Sequence, residues 1–367
     1  MNLIVVAIAL THAAESPAFA PETTCLAEGY SCARCMNPCC CSGLVCDSSG
    51  PPKCMPAKTY TFAQWAAEHN KHYSTPEERL ERAKNFERNL AALTAAQRKS
   101  PHAEFAPDEY ADWSEPELAG LRGLPQGQDS AYGAVHEQEP FEVLQNPQPI
   151  DWVEKGAVNK AVSQGRCGTC AQFSATADIE AQWFLHGHGL VKLSEQEMID
   201  CSSYTGPYGM GWVSSIHKGL ASNATYPLAN HSDPTLAGCR SPCDTKKSSA
   251  SLSVAHIDGA TCLPQKFHDD ESQIRAWLEH GPLSVSIAAG ALGGYKGGII
   301  SGAGCNDTRV DHAVLIVGYG VDQKTGLKFW KVRNSWGPAF GEDGYFRMEW
   351  GLKCWRSCLF SPRGGRG

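Results

Sequence analysis

The sequence predicts an α+β protein with two differently built halves, preceded by a helical segment and a small cystine-rich module. The first observation is that the 17 cysteines form two groups, eight between Cys25 and Cys54 and nine between Cys167 and Cys358. The second is that the cysteine-free segment between these groups has helical periodicity. The third is that the region of the second group is helical at first and later contains short apolar runs such as LSVSI and HAVLIVGYG.

Length and charge narrow the range of functions that the chain can have. A chain of 367 residues is long enough for one domain of ordinary enzyme size preceded by smaller modules. The net charge is −7 and no dense block of lysine and arginine occurs, which argues against nucleic acid as a partner. So many cysteines are typical of an oxidising compartment.

The N-terminus, MNLIVVAIALTHAAES, is a short apolar run followed by small residues. This pattern predicts a signal peptide over residues 1–20, although a buried strand or N-terminal helix would also fit. No later apolar run has the length of a membrane span, so we expect a soluble mature protein in the secretory pathway.

Residues 21–57 contain eight cysteines among Gly, Pro and Ser and too little apolar surface for a core. Their spacing resembles inhibitor-cystine-knot (knottin-like) modules, although the CCC run and the additional Cys35 depart from the six-cysteine pattern. A metal cluster held by thiolates is the alternative.

Residues 58–125 predict two helices separated near Ser74–Pro76, where Ser or Thr can cap and Pro can occupy the first turn. Spacings of three and four place six residues of the second helix on one face: Glu78, Arg82, Phe86, Asn89, Leu93 and Gln97. An ordinary amphipathic helix would also give such a stripe.

The stripe resembles the ERFNIN pattern in the propeptides of papain-like proteases, with Leu93 for the usual Ile and Gln97 for the final Asn. Further positions match those propeptides: Phe62, Trp65, His69, Lys71, Tyr73 and the segment DEYADWS, in which Asp108 replaces Asn. The resemblance implies an inhibitory propeptide. Residues 126–147 are rich in Gln, Gly and Pro, which predicts an exposed linker where activating cleavage can occur.

The remaining residues, 148–367, contain the stretch SQGRCGTCAQFSA, whose C-x-x-C admits several readings. It could be a redox couple, half of a zinc site, or a structural Cys167 beside a nucleophilic Cys170. Ala171, Ala175, Ile179 and Trp183 share one helical face after Cys170. A thiol at the start of a helix is favoured as thiolate by the positive end of the helix dipole.

A thiol also needs a nearby base to become a thiolate. His312 begins an apolar run, and Asn334 is followed directly by Ser335 and Trp336. An amide oxygen that accepts a hydrogen bond from one imidazole nitrogen turns the other nitrogen toward the sulfur, and an indole can shield that hydrogen bond from water.

The order Q-G-x-C-G-x-C, D-H-A-V and N-S-W-G resembles the papain family of cysteine peptidases from Phe62 to about Phe360. The resemblance implies a helical half with Cys170, a β-barrel-like half with His312 and Asn334, and a cleft between them. It also implies that Cys170 is the nucleophile, His312 the general base and acid, and Asn334 the orienting residue. Gln164 and the Cys170 backbone N–H would form the oxyanion hole. The Cys170–His312 pair is expected to rest as thiolate and imidazolium.

Departures from the family pattern concern the cleft. Ala171 stands where an aromatic residue is usual, and by alignment Tyr208 replaces the cysteine that should bond Cys167. We therefore expect Cys167 to be free or paired with Cys243 or Cys262. The other expected pairs are Cys201 with Cys239 or Cys243, and Cys305 with Cys358 or Cys354.

The resemblance assigns further residues to substrate binding: Gly211, Trp212, Val213, Ser286, Val310, Ala313 and Trp336. These side chains are mostly apolar, which predicts that the site prefers an apolar or aromatic substrate residue two positions before the cut. We expect protein or peptide substrates, the protein's own propeptide as intramolecular inhibitor, a monomer, and neither metal nor cofactor. Sequons at Asn223, Asn230 and Asn306 fit a glycoprotein that is secreted or lysosomal (vacuolar).

Two other functions remain open from the sequence. The family's G-C-N-G-G segment, expected after Cys201, is missing from this sequence. This loss and Ala171 would suit a catalytically silent homologue that acts as a binding protein. Alternatively, the peptidase could be the carrier of a toxin-like or binding cystine module.

Overall fold

The computed structural model describes residues 44–47, 53–56, 60–123, 136–137, 139–143, 148–202, 219–229, 239–262, 270–302, 310–352 and 360–364. The chain divides into two compact units, Met1–Thr59 and Tyr60–Gly367. In the first unit, strand β1 (Leu44–Asp47) pairs antiparallel with β2 (Lys53–Pro56), which places Cys46 opposite Cys54. The predicted signal peptide and the CCC run lie outside the described residues.

The described part of the second unit contains six α-helices. They are α1 (Phe62–Glu68), α2 (Pro76–Lys99), α3 (Glu115–Arg122), α4 (Cys170–Leu185), α5 (Glu195–Cys201) and α6 (Glu271–Leu278). None of them has the length and apolar character that crossing a membrane requires.

The two N-terminal helices form where the sequence predicts them, because local capping groups define their ends. Thr61 and Gln64 form a capping box at the start of α1. The Thr75 side chain accepts a hydrogen bond from Glu78 N–H, and Pro76 occupies the first position of α2. The predicted break at Ser74–Pro76 is therefore confirmed.

A ten-stranded sheet forms the second half of this unit. In order, its strands are β3 (Ala103–Phe105), β10 (Tyr295–Ile300), β13 (Tyr345–Glu349), β12 (Lys328–Arg333), β11 (His312–Val321), β9 (Leu283–Ile287), β14 (Phe360–Gly364), β8 (Ile257–Cys262) and β4 (His136–Glu137), with β5 (Ile150–Asp151) paired to β11. A separate pair joins β6 (Leu220–Ala221) to β7 (Ser253–Ala255).

The barrel-like half predicted from the sequence is not a closed barrel in the part of the chain described. The sheet runs from β3 at one edge to β4 at the other, and these two strands are not paired with each other. Both edge strands come from sequence before residue 138, so the N-terminal region covers the edges of the sheet.

Helix α4 is buried on every side, and its apolar face packs as its spacing predicts. Three of the four predicted residues join one cluster with residues that precede or belong to α5: Ala175, Ile179 and Trp183, with Leu193 and Met198. Ala171 instead packs against Cys170 and Ala313.

The opposite face of α4 is polar and lies against the sheet. The Ser174 hydroxyl is 2.6 Å from the Ser284 hydroxyl and donates to the Val314 carbonyl at 2.7 Å. One turn on, Asp178 accepts the Ser284 N–H at 3.1 Å. Burial raises the pKa of the Asp178 carboxyl well above its usual range.

The structure corrects the expected cysteine pairing. Cys167 bonds to Cys239, with a Cα–Cα distance of 6.0 Å, and not to Cys243 or Cys262. Cys201 bonds to Cys243, one of its two expected partners. The Cys239 carbonyl accepts a hydrogen bond from Gln196 Nε2 at 3.1 Å, which places Cys239 beside α5, the helix that ends at Cys201. The other expected pair, of Cys305 with Cys358 or Cys354, lies outside the described residues.

Candidate active site

Cys170 is the first residue of α4 and is fully buried. The backbone N–H groups of Cys170 and Ala171 lie against its sulfur, as expected at the start of a helix, where these donors have no partner in a preceding turn. A third donor, the Ala313 N–H on β11, is 3.3 Å from Sγ. Of the five cysteines whose side chains the structure describes, four form disulfides and Cys170 is free.

His312 begins β11, and its ring is held by Asn334. Nε2–H donates to Asn334 Oδ1 at 2.8 Å. The same Oδ1 accepts the Ser335 N–H at 2.8 Å, which fixes the amide with its oxygen toward the ring. Nδ1 is thereby the nitrogen that carries no proton in the neutral ring. The Trp336 ring lies 5.0 Å from the imidazole and covers it.

Gln164 is also oriented by the segment after Asn334. Ser335 Oγ donates to Gln164 Oε1 at 2.5 Å, and the Gln164 N–H donates to the Ser335 carbonyl at 2.8 Å. The amide nitrogen therefore points the other way. It donates to the carbonyls of Cys167 at 2.5 Å and Leu121 at 2.8 Å.

A single carbonyl oxygen from the N-terminal segment contacts both reactive groups. The Cys170 thiol donates to the Arg122 carbonyl at 2.7 Å, and His312 Nδ1 lies 3.2 Å from the same oxygen. Arg122 is the last residue of α3 and is followed by Gly123 in the left-handed region, with φ of 79°. The end of α3 thus occupies the space in front of the sulfur.

The electrostatics of this closed site favour neutral groups. Burial raises the pKa of the Cys170 thiol to about 12, against the opposing hydrogen bond from Ala313 N–H, and the Asp311 carboxylate raises it further. Burial also lowers the pKa of His312, although its hydrogen bond to Asn334 favours the charged ring.

With the end of α3 in place, both shifts favour a thiol and a neutral imidazole over the expected thiolate and imidazolium. The physical reason is desolvation, because the N-terminal segment removes the water that would stabilise both charges. The thiol donor at the Arg122 carbonyl agrees with this protonation state.

The predicted substrate-binding residues are partly brought together. Ser286 on β9 is the direct neighbour of Ala313 on β11, and both are buried, as is Val310 just before the strand. Gly211, Trp212 and Val213 lie outside the described residues.

Sequence reasoning missed three contributors to the site. Arg122 belongs to no motif, so no local signal could have identified it. Asp311 and Ser335 lie inside the D-H-A-V and N-S-W-G runs, so these motifs could have pointed to them. Within the described ranges, no group of three or more His, Cys, Asp or Glu residues is arranged to hold a metal ion.

Comparison with protein families gives two matches. The family described as "Papain family cysteine protease" matches residues 146–360. The family described as "Cathepsin propeptide inhibitor domain (I29)" matches residues 62–118.

Individual relatives agree with these matches. Cysteine proteinase B of Leishmania mexicana is 33% identical over 306 residues, which cover 82% of this chain and 67% of the relative. Ananain of Ananas comosus is 31% identical over 296 residues, covering 78% of this chain and 81% of the relative.

Solved precursors share the fold. Digestive procathepsin L 3 of Tenebrio molitor larval midgut superposes with a TM-score of 0.65 at 29% identity, covering 83% of this chain and all of the other. The recombinant stem bromelain precursor gives a TM-score of 0.66 at 26% identity, covering 83% and 98%.

Proposed function

The chain belongs to the papain family of cysteine proteases and carries a cathepsin-type propeptide inhibitor domain, and from this premise we propose which residues perform the reaction. Cys170 is the nucleophile and His312 the general base and acid. Asn334 orients the imidazole, and Gln164 with the Cys170 N–H stabilises the oxyanion. The observation that carries the proposal is that Cys170 and His312 both contact one propeptide carbonyl oxygen, that of Arg122.

In the first half of the reaction, His312 Nδ1 takes the thiol proton and the sulfur bonds to the carbonyl carbon of the substrate. The carbonyl oxygen becomes an oxyanion, which Gln164 Nε2–H and the Cys170 N–H stabilise. When the oxyanion collapses, the C–N bond breaks and His312 Nδ1–H gives its proton to the leaving amine. The product is a thioester on Cys170.

In the second half, water replaces the amine. His312 Nδ1 takes a proton from the water, and the oxygen bonds to the thioester carbon. Collapse breaks the C–S bond, releases the carboxylic acid and returns the proton to the sulfur. Asn334 keeps Nε2–H in place throughout, so Nδ1 alone exchanges protons.

The propeptide blocks this reaction without being cut. Sγ meets the oxygen of the Arg122 carbonyl, whereas attack requires the carbon. The oxyanion donor Gln164 Nε2 is bound to the preceding carbonyl, that of Leu121, so the two catalytic contacts fall on different peptide units. A peptide held in this way is inhibitor and not substrate.

Processing of the purified precursor tests the proposal. On acidification, wild type should trim itself in the linker between residues 124 and 147 and then hydrolyse peptides, whereas Cys170→Ala should do neither. An epoxide peptide mimic that traps thiols should label Cys170 only after processing. If Cys170 stays unlabelled after another protease has cut the linker, the chain is a silent homologue and the proposal fails.

We also propose that the propeptide inhibitor domain is of the ERFNIN type. Members of its stripe hold the segments that follow α2: Arg82 binds Glu117 at 2.6 and 2.9 Å, and Asn89 Nδ2 donates to the Ala111 and Trp113 carbonyls at 2.9 Å each. Further along, Gln97 Nε2 donates to the Ala103 carbonyl at 2.7 Å. The stripe thus supports both α3 and β3.

The wall that Ser286, Val310 and Ala313 supply supports a preference for an apolar or aromatic residue two positions before the cut, because none of these side chains carries a charge. A peptide library that varies this position alone, read as kcat/KM, tests it. A profile dominated by Arg or Glu would contradict it.

The boundaries of the chain's segments are part of the proposal: signal peptide 1–20, module 21–57, propeptide 58–125, linker 126–147 and peptidase 148–367.

The cystine-rich module is proposed to be knottin-like, which the antiparallel β1–β2 pair supports. Mass-spectrometric disulfide mapping of the whole precursor should show a fully oxidised module, whereas bound zinc with reduced thiols would support the metal-cluster alternative.

Two disulfides in the peptidase part support a secretory route to the exterior or to a lysosome or vacuole.

A further inference from the structure

We propose that α6 carries a second peptide-binding site, built from residues that the reaction does not use, which holds the end of the linker and directs the first activating cut to residues before it. The site consists of Gln273, Trp277 and His280 and is called the linker site. It takes an extended peptide with an aromatic side chain, and Phe141 occupies it in the precursor. The site itself goes beyond the proposed function; the statement about activation rests on it.

The three side chains of the linker site come from one face of α6. Gln273, Trp277 and His280 are spaced four and three residues apart, which brings them to the same side of a helix. The Asp270 carboxylate accepts the Gln273 N–H and caps the helix, so Gln273 is fixed in the first turn. At the other end, the His280 N–H donates to the Trp277 carbonyl at 2.9 Å, which continues the turn past the end of α6.

Phe141 is bound through its backbone and through its ring. Its N–H donates to Gln273 Oε1 at 3.0 Å, and its carbonyl accepts from Gln273 Nε2 at 3.1 Å. A side-chain amide that pairs with both polar groups of one residue imitates a neighbouring strand. The ring stacks on His280, with 4.6 Å between the centroids and 25° between the planes, and lies 6.3 Å from the Trp277 ring. The site therefore recognises an extended backbone and an aromatic ring.

Burial makes this contact difficult to open. Gln273 is 7% exposed, so its amide is largely removed from water and is satisfied by the Phe141 backbone. Pulling Phe141 away would break both hydrogen bonds at once. It would also uncover the part of the main hydrophobic core against which the Phe141 ring packs.

The chain is held on both sides of the linker site as well. Before it, β4 pairs with β8, and after it the Gln148 carbonyl accepts from the Tyr319 hydroxyl at 2.7 Å. Four residues, 144–147, lie between the site and Gln148, whereas twelve, 124–135, lie between the end of α3 and β4. A cut requires several residues on either side of the bond to enter a protease in extended form. The longer stretch provides them without opening the site, so we expect the first cut there.

Limited proteolysis of the inactive Cys170→Ala precursor tests the site without any activity of its own. Chymotrypsin cuts after aromatic residues, and the bond between Phe141 and Glu142 is such a bond. In the precursor, we expect this bond to be cut at least about tenfold more slowly than in a synthetic peptide of residues 126–147, because cleavage tracks the open population. Adding Gln273→Leu should raise the rate at least about fivefold, since both backbone partners are lost.

Gln323→Leu is the matched control, because Gln323 is an exposed amide of the peptidase part that does not contact the linker site. It should keep the protection. The bond after Tyr132, in the same linker, should be cut at one rate in all variants, which excludes general unfolding. If Gln273→Leu does not fold, His280→Ala at the exposed stacking position should raise cleavage after Phe141. A precursor cut there as fast as the peptide, or folded variants that keep full protection, would overturn the site.

Acid processing of the wild-type precursor tests the statement about activation, with the N-terminus of the first product read by mass spectrometry. We expect this N-terminus between residues 124 and 136, and in Gln273→Leu a spread of termini that extends into residues 137–147. If the first wild-type product begins after Val143, the site does not direct the cut. A wild type that does not process at all contradicts the proposed function, and protection in the inactive precursor then still decides on the linker site.

Discussion

At the scale of single residues, the state of Cys170 depends on one carbonyl group. The Arg122 oxygen accepts a hydrogen bond from the thiol and, with the residues around it, excludes water from the sulfur. Because burial raises the pKa of Cys170 and lowers that of His312, transfer of the proton between them is unfavourable in the precursor. Departure of α3 would rehydrate the pair and reverse both shifts.

Alkylation of the precursor by iodoacetamide tests this account. With a thiol pKa of about 12, the rate at Cys170 should keep rising about tenfold per pH unit from pH 7 to pH 10, because only the thiolate reacts. After propeptide removal, the reaction near neutral pH should be at least about 100-fold faster. Cys170→Ser supplies the background from other cysteines, and a precursor rate that levels off near neutral pH would contradict the raised pKa.

At the scale of secondary-structure elements, α3 ends against the peptidase with no space between backbones. Gly123 takes the left-handed conformation that ends the helix. A Cβ atom at Gly123 would lie 2.5 Å from the Gly168 carbonyl carbon, just before Cys170. This close approach holds the Arg122 carbonyl at the sulfur.

Gly123→Ala should therefore release the inhibitor. The positive φ costs about 1–2 kcal/mol, and the clash with Gly168 adds to it, so we expect peptidase activity of the unprocessed precursor to rise at least several-fold. The control is Gly156→Ala: its φ is 75°, but no atom lies within 4 Å of the new Cβ. Gly156→Ala should lose only the stability that the positive φ costs, and the precursor should stay latent. Equal latency in both variants would show that this contact does not hold the propeptide.

A second contact of α3 is electrostatic. Glu117 pairs with Arg82 on α2 and lies 3.4 Å from Arg166 of the peptidase part. Burial would raise the pKa of Glu117, but hydrogen bonds from Arg82 and Ser114 overcome it and lower the pKa to about 2. Glu117 is thus still ionised at about pH 4–5, so it resists acid release of the propeptide and does not trigger it.

Glu117→Gln should lower the stability of the precursor by about 1–2 kcal/mol, allowing for screening by water. Because the folded-state pKa is below the ordinary value of 4.5, the difference from wild type should be full above about pH 4.5 and shrink as the pH falls toward 2. Gln can still cap Ser114, so helix capping is preserved. Urea unfolding across this pH range measures the effect, with Glu87→Gln on the exposed face of α2 as control. A pH-independent difference would argue against the ion pair.

At the scale of the whole second unit, the propeptide is part of the peptidase fold. Strand β3 pairs antiparallel with β10 at the edge of the sheet, and Leu121 and Trp113 join the main hydrophobic core. The Asp108 carboxylate accepts the Gly294 N–H at 3.0 Å. Inhibition therefore does not depend on α3 alone.

The disulfide of Cys167 links the catalytic loop to a distant segment, 72 residues away. Removing it by Cys167→Ser with Cys239→Ser should cost about 2–4 kcal/mol and also lower kcat, since the Cys167 carbonyl is a partner of Gln164. Cys201→Ser with Cys243→Ser, which opens a loop of 42 residues, should lose similar stability and keep kcat. Unfolding and peptide hydrolysis of both processed variants measure this, and equal kcat values would exclude a role for the Cys167 bond in catalysis.

Helix boundaries and the identity of the reactive groups could be predicted from the sequence because local patterns specify them. Thr75 and Pro76 start α2 whatever surrounds it, and the helical spacing after Cys170 requires an N-terminus at the sulfur. The runs around His312 and Asn334 place an imidazole and an amide at the ends of strands. For these residues, the adjacent residues in the sequence are sufficient to predict the local structure.

Tertiary structure alone decided the partner of Cys167, the neutral state of the catalytic pair, and the meeting of Arg122 with that pair. Each depends on residues far apart in the chain: 48 positions separate Arg122 from Cys170, and 190 separate it from His312. Desolvation and ion pairing act through space over a few ångströms, so they appear only when folding has brought such residues together. The sequence by itself determined which groups can react, and the fold determined that in the precursor they do not.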